Sequence, residues 1–220
     1  MRWTPSQTSS VTLRYGRRDG FASFALAAGV DLGPSTRLTA TYLERVASPL
    51  QAGLDLLSGS SVDQAGSLVS NTTGQPVITP FGSPVLATQD SLFRTRRAIM
   101  TLAQTWPRDV VALSLFRDER TPLTSSPGVL AVDQSGWFGA LTWTRALRPD
   151  LSGVATVQYG RTRSGSAPSA NFYAARVGLS QELSRGLFVT GQYQIRVSEG
   201  GFGTGDAVQN TVLVGLRQAF

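Results

Sequence analysis

Apolar residues recur at every second position through most of this chain, in stretches separated by turn-forming residues. The last stretch, AVQNTVLVGLRQAF from Ala207 to Phe220, is the plainest. The set Val208, Asn210, Val212, Val214, Leu216 and Gln218 is mostly apolar, whereas Gln209, Thr211, Leu213, Gly215, Arg217 and Ala219 are mostly small or polar. A period of two over this length is a β-strand with different surroundings on its two faces.

The same period predicts about ten strands in all. The first sets Val11, Leu13 and Tyr15 against Ser10, Thr12, Arg14 and Gly16, and turns at Arg17-Arg18-Asp19-Gly20. The second carries Phe24, Leu26, Ala28 and Val30 opposite Ser23, Ala25, Ala27, Gly29 and Asp31, and ends at Gly33-Pro34-Ser35. The third, Thr36 to Val46, alternates Leu38, Ala40 and Tyr42 with Arg37, Thr39 and Thr41. The fourth runs from Leu92 to Trp106 and the fifth from Val110 to Arg120. The sixth alternates Trp137, Gly139, Leu141 and Trp143 with Phe138, Ala140 and Thr142. The seventh starts at Leu151, the eighth at Asn171, the ninth at Leu187, and the tenth is the C-terminal stretch.

One segment breaks the rhythm. From Ala47 to about Asp90, Ser48, Pro49, Leu50, Leu54, Leu57 and Gly59 spell a short helix with an N-cap, a first-turn proline and a terminating glycine. The remainder is rich in Ser, Gly, Thr, Asn and Pro and reads as a long surface loop with little regular structure. After the first hairpin, connections alternate strictly between tight (GPS, PRD, RPD, SRG) and long (47–90, 121–130, 163–170, 199–206). Transmembrane barrels alternate in this way because their periplasmic turns are tight and their extracellular loops long. Tyr15, Tyr42, Trp106, Trp137, Trp143, Tyr159, Tyr173 and Tyr193 all fall on the apolar side, many near strand ends, as amphipathic rings do at a membrane interface. The expected fold is all-β: an antiparallel transmembrane β-barrel of about ten strands, alone or as part of a larger barrel, in one domain over 1–220 with an extracellular loop at 47–90.

The C-terminal strand resembles the closing strand of bacterial outer-membrane β-barrels. The resemblance implies that Phe220 and the alternate residues before it are the signal read by the barrel assembly machinery; Gln218 departs from the usual apolar pattern. A narrower resemblance rests on WTPSQTSSVTLRYGRRDG, YLERVASPLQ, LFRTRRAIMTLAQTWPRDVVALSLFRDER and the terminal LVGLRQAF. These segments are similar to the C-terminal part of outer-membrane barrel proteins found with bacterial exopolysaccharide and PEP-CTERM sorting systems. That resemblance implies an envelope location and a role beside polysaccharide secretion. The opening MRWTPSQTSS has no signal-peptide pattern, so the chain is expected to be the C-terminal fragment of a longer protein.

Composition narrows the chemistry. Mean hydropathy is −0.03, and no apolar run is long enough for a membrane helix, which leaves strands as the only spanning form. There is no cysteine and no histidine, so thiolate sites, disulfides and the usual general base of hydrolases are excluded. No metal, no cofactor and no catalytic group is expected. An outer-membrane hydrolase stands only as a remote alternative, resting on carboxylates such as Asp118 with Glu119, or Glu182 with Asp31. The net charge is +6 and all 20 basic residues are Arg. They recur along the whole chain rather than in one patch, which argues against a nucleic-acid partner.

Two groups of candidate residues follow from the facing. Arg14, Arg37, Arg176, Arg196 and Arg217 fall on the polar face and would line a lumen, with Phe116, Phe138 and Phe188 beside them. Against Asp31, Asp118 and Glu182 they predict a positive interior suited to anionic polysaccharide. Arg17, Arg18, Arg94, Arg96, Arg97, Arg161 and Arg163 cluster near strand ends and are expected to form an outer rim for lipopolysaccharide phosphates. The expected function is a conduit or scaffold barrel for envelope polysaccharide. The alternative is a structural or adhesive barrel whose long loop binds a partner.

Overall fold

The alternation becomes the two faces of one sheet. A computed structural model describes residues 2–4, 9–18, 21–48, 60–62, 68–70, 92–124, 132–165, 168–200 and 206–218. In chain order its strands are β1 (Arg2–Trp3), β2 (Ser10–Arg18), β3 (Phe21–Asp31), β4 (Thr36–Ala47), β5 (Ser60–Val62), β6 (Leu68–Ser70), β7 (Phe93–Thr105), β8 (Asp109–Pro122), β9 (Gln134–Arg148), β10 (Leu151–Ser164), β11 (Ala170–Ser184), β12 (Leu187–Glu199) and β13 (Ala207–Gln218). All except β5 and β6 form one antiparallel sheet in sequence order. The ten long strands are those expected. The two-residue β1 was not foreseen; it pairs Arg2 with Thr12 and Trp3 with Val11 on the outer edge of β2.

The loop after β4 has more structure than its composition suggested, because β5 and β6 pair as a short hairpin with Ser61 opposite Val69. The helix expected near Ser48 to Gly59 falls almost wholly outside the described residues. Among the described residues the sheet is open: β13 pairs only with β12, and the far side of β2 meets only β1.

From β3 onward tight turns gather at one end of the sheet and long connections at the other, the short link from β2 to β3 lying at the long-connection end, and the strands run as an up-and-down meander. Leu32 N donates to Thr36 O at 2.9 Å and Trp106 N to Asp109 O at 2.7 Å, closing two of the tight turns. Neighbouring turns are also stitched together: Thr105 N donates to Ser35 O, Ala146 N to Arg108 O and Glu182 N to Asp150 O, each at 2.8 Å. Register shifts at Leu151/Ser152 and Glu182/Ser184 fall at this same end, where irregular pairing does not disturb the middle of the strands.

Cross-strand register carries each apolar set into line with the next. One row reads Leu38, Leu102, Leu113, Leu141, Val157, Ala175 and Ile195 across β4 and β7–β12. Leu102, Leu113, Leu141 and Val157 in that row are between 39% and 54% exposed, whereas the buried residues of these strands, such as Ala103, Ala112, Thr101, Ser114, Thr142 and Thr156, all belong to the opposite set. A water-soluble protein shows the reverse, because a continuous apolar face of this extent would drive association. An apolar face turned to lipid and a small, polar face turned inward is the arrangement of a membrane barrel.

Small residues on the inner face let the larger ones lie flat. Thr101 and Ser114 hydroxyls are 3.0 Å apart, and those of Thr142 and Thr156 are 3.3 Å apart, so adjacent strands satisfy each other's buried hydroxyls. Phe138 faces Gly160 on β10, and a Cβ added at Gly160 would stand 2.1 Å from the Phe138 ring. The glycine is therefore a seat for the ring, an aromatic covering of an otherwise bare strand position.

Candidate functional site

All five arginines expected to line the interior lie on the inner face. Arg14 stands opposite Ala25, Arg37 opposite Asp31, Arg176 opposite Thr156 and Gln194, Arg196 opposite Ala174, and Arg217 opposite Phe188. Arg37 pairs with Asp31 at 3.5 Å. Among the described residues three further arginines, not named as lumen-lining from the sequence, share this face: Arg45, Arg97 and Arg120. Against them and the five stand Asp31, Asp118 and Glu182, so basic groups prevail on the inner wall.

The densest part of this wall is on β7, β8 and β9 toward the long-loop end. Asp118 is 8% exposed and accepts from Arg120 Nε at 3.0 Å, while Arg97 Nη2 lies 3.5 Å from the same carboxylate. The Arg97 guanidinium also sits over Phe116, with Cζ 5.3 Å from the ring centroid. Phe116 in turn meets Phe138 edge to face at 5.9 Å. Among the described residues Arg97 Nε and Asp118 Oδ1 are buried without a hydrogen-bond partner. Two guanidiniums thus share one carboxylate beside a pair of rings, leaving a net positive charge next to a flat apolar surface. Phe188, expected with these rings, is not brought to them; it lies near the tight-turn end of β12 opposite Arg217 and Glu182.

Arg97 corrects one expectation. Grouped by sequence with the outer rim, it faces inward, since consecutive strand residues alternate sides and Arg96 faces out. The same rule parts Asp118 from Glu119, which lie on opposite faces and are each held by an arginine, so they form no carboxylate pair. Glu182 and Asp31 lie on β11 and β3, which are not paired.

On the outer face, charge gathers at the long-loop end. Arg94 and Arg96 converge on Glu44, with Nε to Oε1 distances of 2.7 and 3.3 Å, and Tyr42 donates its hydroxyl to the other oxygen of that carboxylate at 3.2 Å. Arg17, Arg161 and Arg163 are exposed on this face. Arg117, which the sequence did not mark, joins them and pairs with Glu119 at 2.5 Å. The side chain of Arg18, and Phe220 with its assembly-signal role, lie outside the described residues. From Trp137, level with Arg161, the rings of Trp137, Tyr159 and Tyr173 form a chain running inward, with centroids 5.2 and 5.0 Å apart. At the tight-turn end Trp143 Nε1 donates to Asp109 Oδ1 at 2.8 Å, and Arg145 lies over the same indole. Rings that bound an apolar belt at both ends mark the two interfaces of a bilayer.

No protein-family model and no curated protein matches the chain. Among solved structures it is similar to OmpT, an outer membrane protein of Vibrio cholerae. The in-vitro folded form is 11% identical with a TM-score of 0.62, and its trimer form 10% identical with 0.61; each comparison covers 99% of this chain and 62% of that one. The loop L8 deletion mutant of OmpT is 13% identical with a TM-score of 0.60, over 99% of this chain and 60% of that one. The fold is that of an outer-membrane β-barrel. This chain spans about three fifths of the length of the barrels it matches. The location read from the sequence, the outer membrane, is that of these structural neighbours.

The barrel fold orients the two groups of candidate residues. Its tight turns from β3 onward are periplasmic, and its long connections, with the short β2–β3 link at the same end, extracellular. The Arg97–Asp118–Arg120 cluster therefore lies in the outer half of the inner wall, and the Arg94, Arg96, Arg117, Arg161 and Arg163 side chains point toward the outer leaflet. Among the described residues no group of His, Cys, Asp and Glu has a metal-binding arrangement.

Proposed function

We propose that this chain forms part of the wall of an outer-membrane barrel that serves as a conduit or scaffold for anionic envelope polysaccharide. The observation that carries the reading is the inner face, where, among the described residues, eight arginines stand against Asp31, Asp118 and Glu182, and the Phe116–Phe138 pair offers a ring surface for sugar faces. The resemblance of the sequence to barrels of exopolysaccharide and PEP-CTERM systems supports the same cargo. The open edges of β2 and β13 cannot face lipid, because unpaired backbone groups there cost several kcal/mol each. Among the described residues both edges are open, so on this reading further strands close the wall, and the three fifths of its structural neighbours that the chain spans would then make about sixteen in all.

Conductance of the full-length protein in planar bilayers tests the proposal. A salt gradient should give a reversal potential on the anion-selective side, and alginate added to the extracellular face should block the current. Cation preference in a conducting barrel, or a sealed barrel that no polysaccharide binds, would overturn it. A second reading, a barrel whose loop after β4 binds an external partner, is favoured by the β5–β6 hairpin inside that loop. Deleting the hairpin separates the two, since only the second reading then loses its binding while conductance is kept.

A further inference from the structure

We infer that an outward groove framed by Arg117, Arg161 and Arg163 over Trp137 binds the phosphates of lipopolysaccharide. The inference rests on the outer-membrane reading and assigns one site within it. Arg117 on β8, Trp137 on β9 and Arg161 on β10 lie opposite one another in a single cross-strand row. Arg163 stands two residues further toward the long-loop end, opposite Ser135. Outward of that row β9 presents the small Ser135 opposite Arg163, so the three arginines border a groove of about 470 Å³ beyond the Trp137 ring.

Charge and depth point to the occupant. Arg117 is held by Glu119, through Nη2 at 2.5 Å and Nε at 2.9 Å, and so is fixed in direction. Arg161 and Arg163 are exposed and make no ion pair among the described residues. Among the described residues the groove therefore holds two guanidiniums with no carboxylate on them, unlike the Arg94 and Arg96 pair, which one carboxylate at Glu44 already draws together. Along one strand, outward side chains two residues apart are separated by about 7 Å, a span over which two guanidinium forks can hold one phosphate or two neighbouring ones. The floor of the groove is Trp137, whose ring begins the chain through Tyr159 to Tyr173. Such rings sit at headgroup level, so the guanidiniums of Arg117 and Arg161 beside Trp137, and of Arg163 one step further out, are at the depth of lipid phosphates. They are at the extracellular end, where the leaflet of an outer membrane is lipopolysaccharide.

The test uses full-length protein extracted from outer membranes in mild detergent, with bound lipopolysaccharide counted by native mass spectrometry. Arg161→Gln with Arg163→Gln should lower occupancy about tenfold, and Arg94→Gln with Arg96→Gln should leave it within about twofold. On delipidated wild-type protein, lipid A stripped of its phosphates should bind as weakly as intact lipid A binds to the double variant. Phosphatidylglycerol vesicles should compete no better for wild type than for the variant. Unchanged occupancy in the 161/163 variant, an equal loss in the 94/96 variant, or preferential capture of phosphatidylglycerol by wild type would each overturn the inference. Heat-modifiable migration on gels checks that the variants are folded, and the single Arg163→Gln, expected to lose about threefold, serves if the double variant is not. If wild type is absent from the outer membrane, the location fails and the site with it; if wild type is present but binding ignores this pair, the site alone fails.

Discussion

Placing an arginine at Val177 should unfold the barrel far more readily than the same residue at Gln192. Val177 lies on the outer face of β11, is 54% exposed and stands opposite Ala155 and Tyr193. Along that strand it is four residues from Tyr173 at one edge of the belt and four from Gln181 at the other. Four residues at about 3.4 Å each, tilted about 40°, put it roughly 10 Å from either interface, at the bilayer midplane. An arginine there costs about 2–4 kcal/mol, equivalent to about a 30- to 900-fold shift in the folding equilibrium. Gln192 lies on the inner face of the next strand, opposite Gly178, at nearly the same depth. Arginine at that position is expected to cost less than about 1 kcal/mol because it enters the polar interior. Gln181→Arg, at the belt's edge, should also cost about 0–1 kcal/mol. The assay is equilibrium denaturant unfolding of the protein refolded into large unilamellar vesicles, followed by tryptophan fluorescence. A Gln192→Arg penalty equal to that of Val177→Arg would refute the assignment of faces, and an equal penalty at Gln181 would refute the position of the belt.

Gly160→Ala should destabilise by about 1–3 kcal/mol, because its methyl group would overlap the Phe138 ring; Phe138→Ala in the same chain should recover part of the loss in a double-mutant cycle. Asp118→Asn should cost about 3 kcal/mol or more, since it leaves Arg97 and Arg120, with side chains 21% and 14% exposed, facing each other without their shared carboxylate; adding Arg97→Met should restore stability, and denaturant midpoints check both. Brominated acyl chains should quench Trp137 and Trp143 most strongly when the bromine is near the headgroup, because both rings lie at the edges of the belt; strongest quenching by bromine at the chain ends would contradict that depth.

What the sequence determined by itself was the side to which each strand residue points. A period of two is a local property of the backbone, so Leu141, Val157 and Val177 could be placed outside, and Phe116, Phe138 and Arg176 inside, without knowing any neighbour. The same local rule, applied strictly, sends Arg97 inward; it was grouped with Arg94 and Arg96 only because all three are close in sequence. The order of the strands was also legible, because tight turns join antiparallel neighbours.

What only the tertiary structure decided depends on register between strands that are distant in the chain. Glu44 collects Arg94 and Arg96 across a segment of almost fifty residues, Gly160 accepts a ring from Phe138, and Arg117, Trp137 and Arg161 meet in one row over three strands. Each of these contacts is set by the hydrogen-bond ladder between two strands, and a slip of two residues would keep every face correct while separating every partner. Hydrophobic alternation is blind to such a slip. The pairing of β1 with β2 and of β5 with β6 escaped for a related reason: two or three residues are too few to show a period, and their strands are held by the ladder alone.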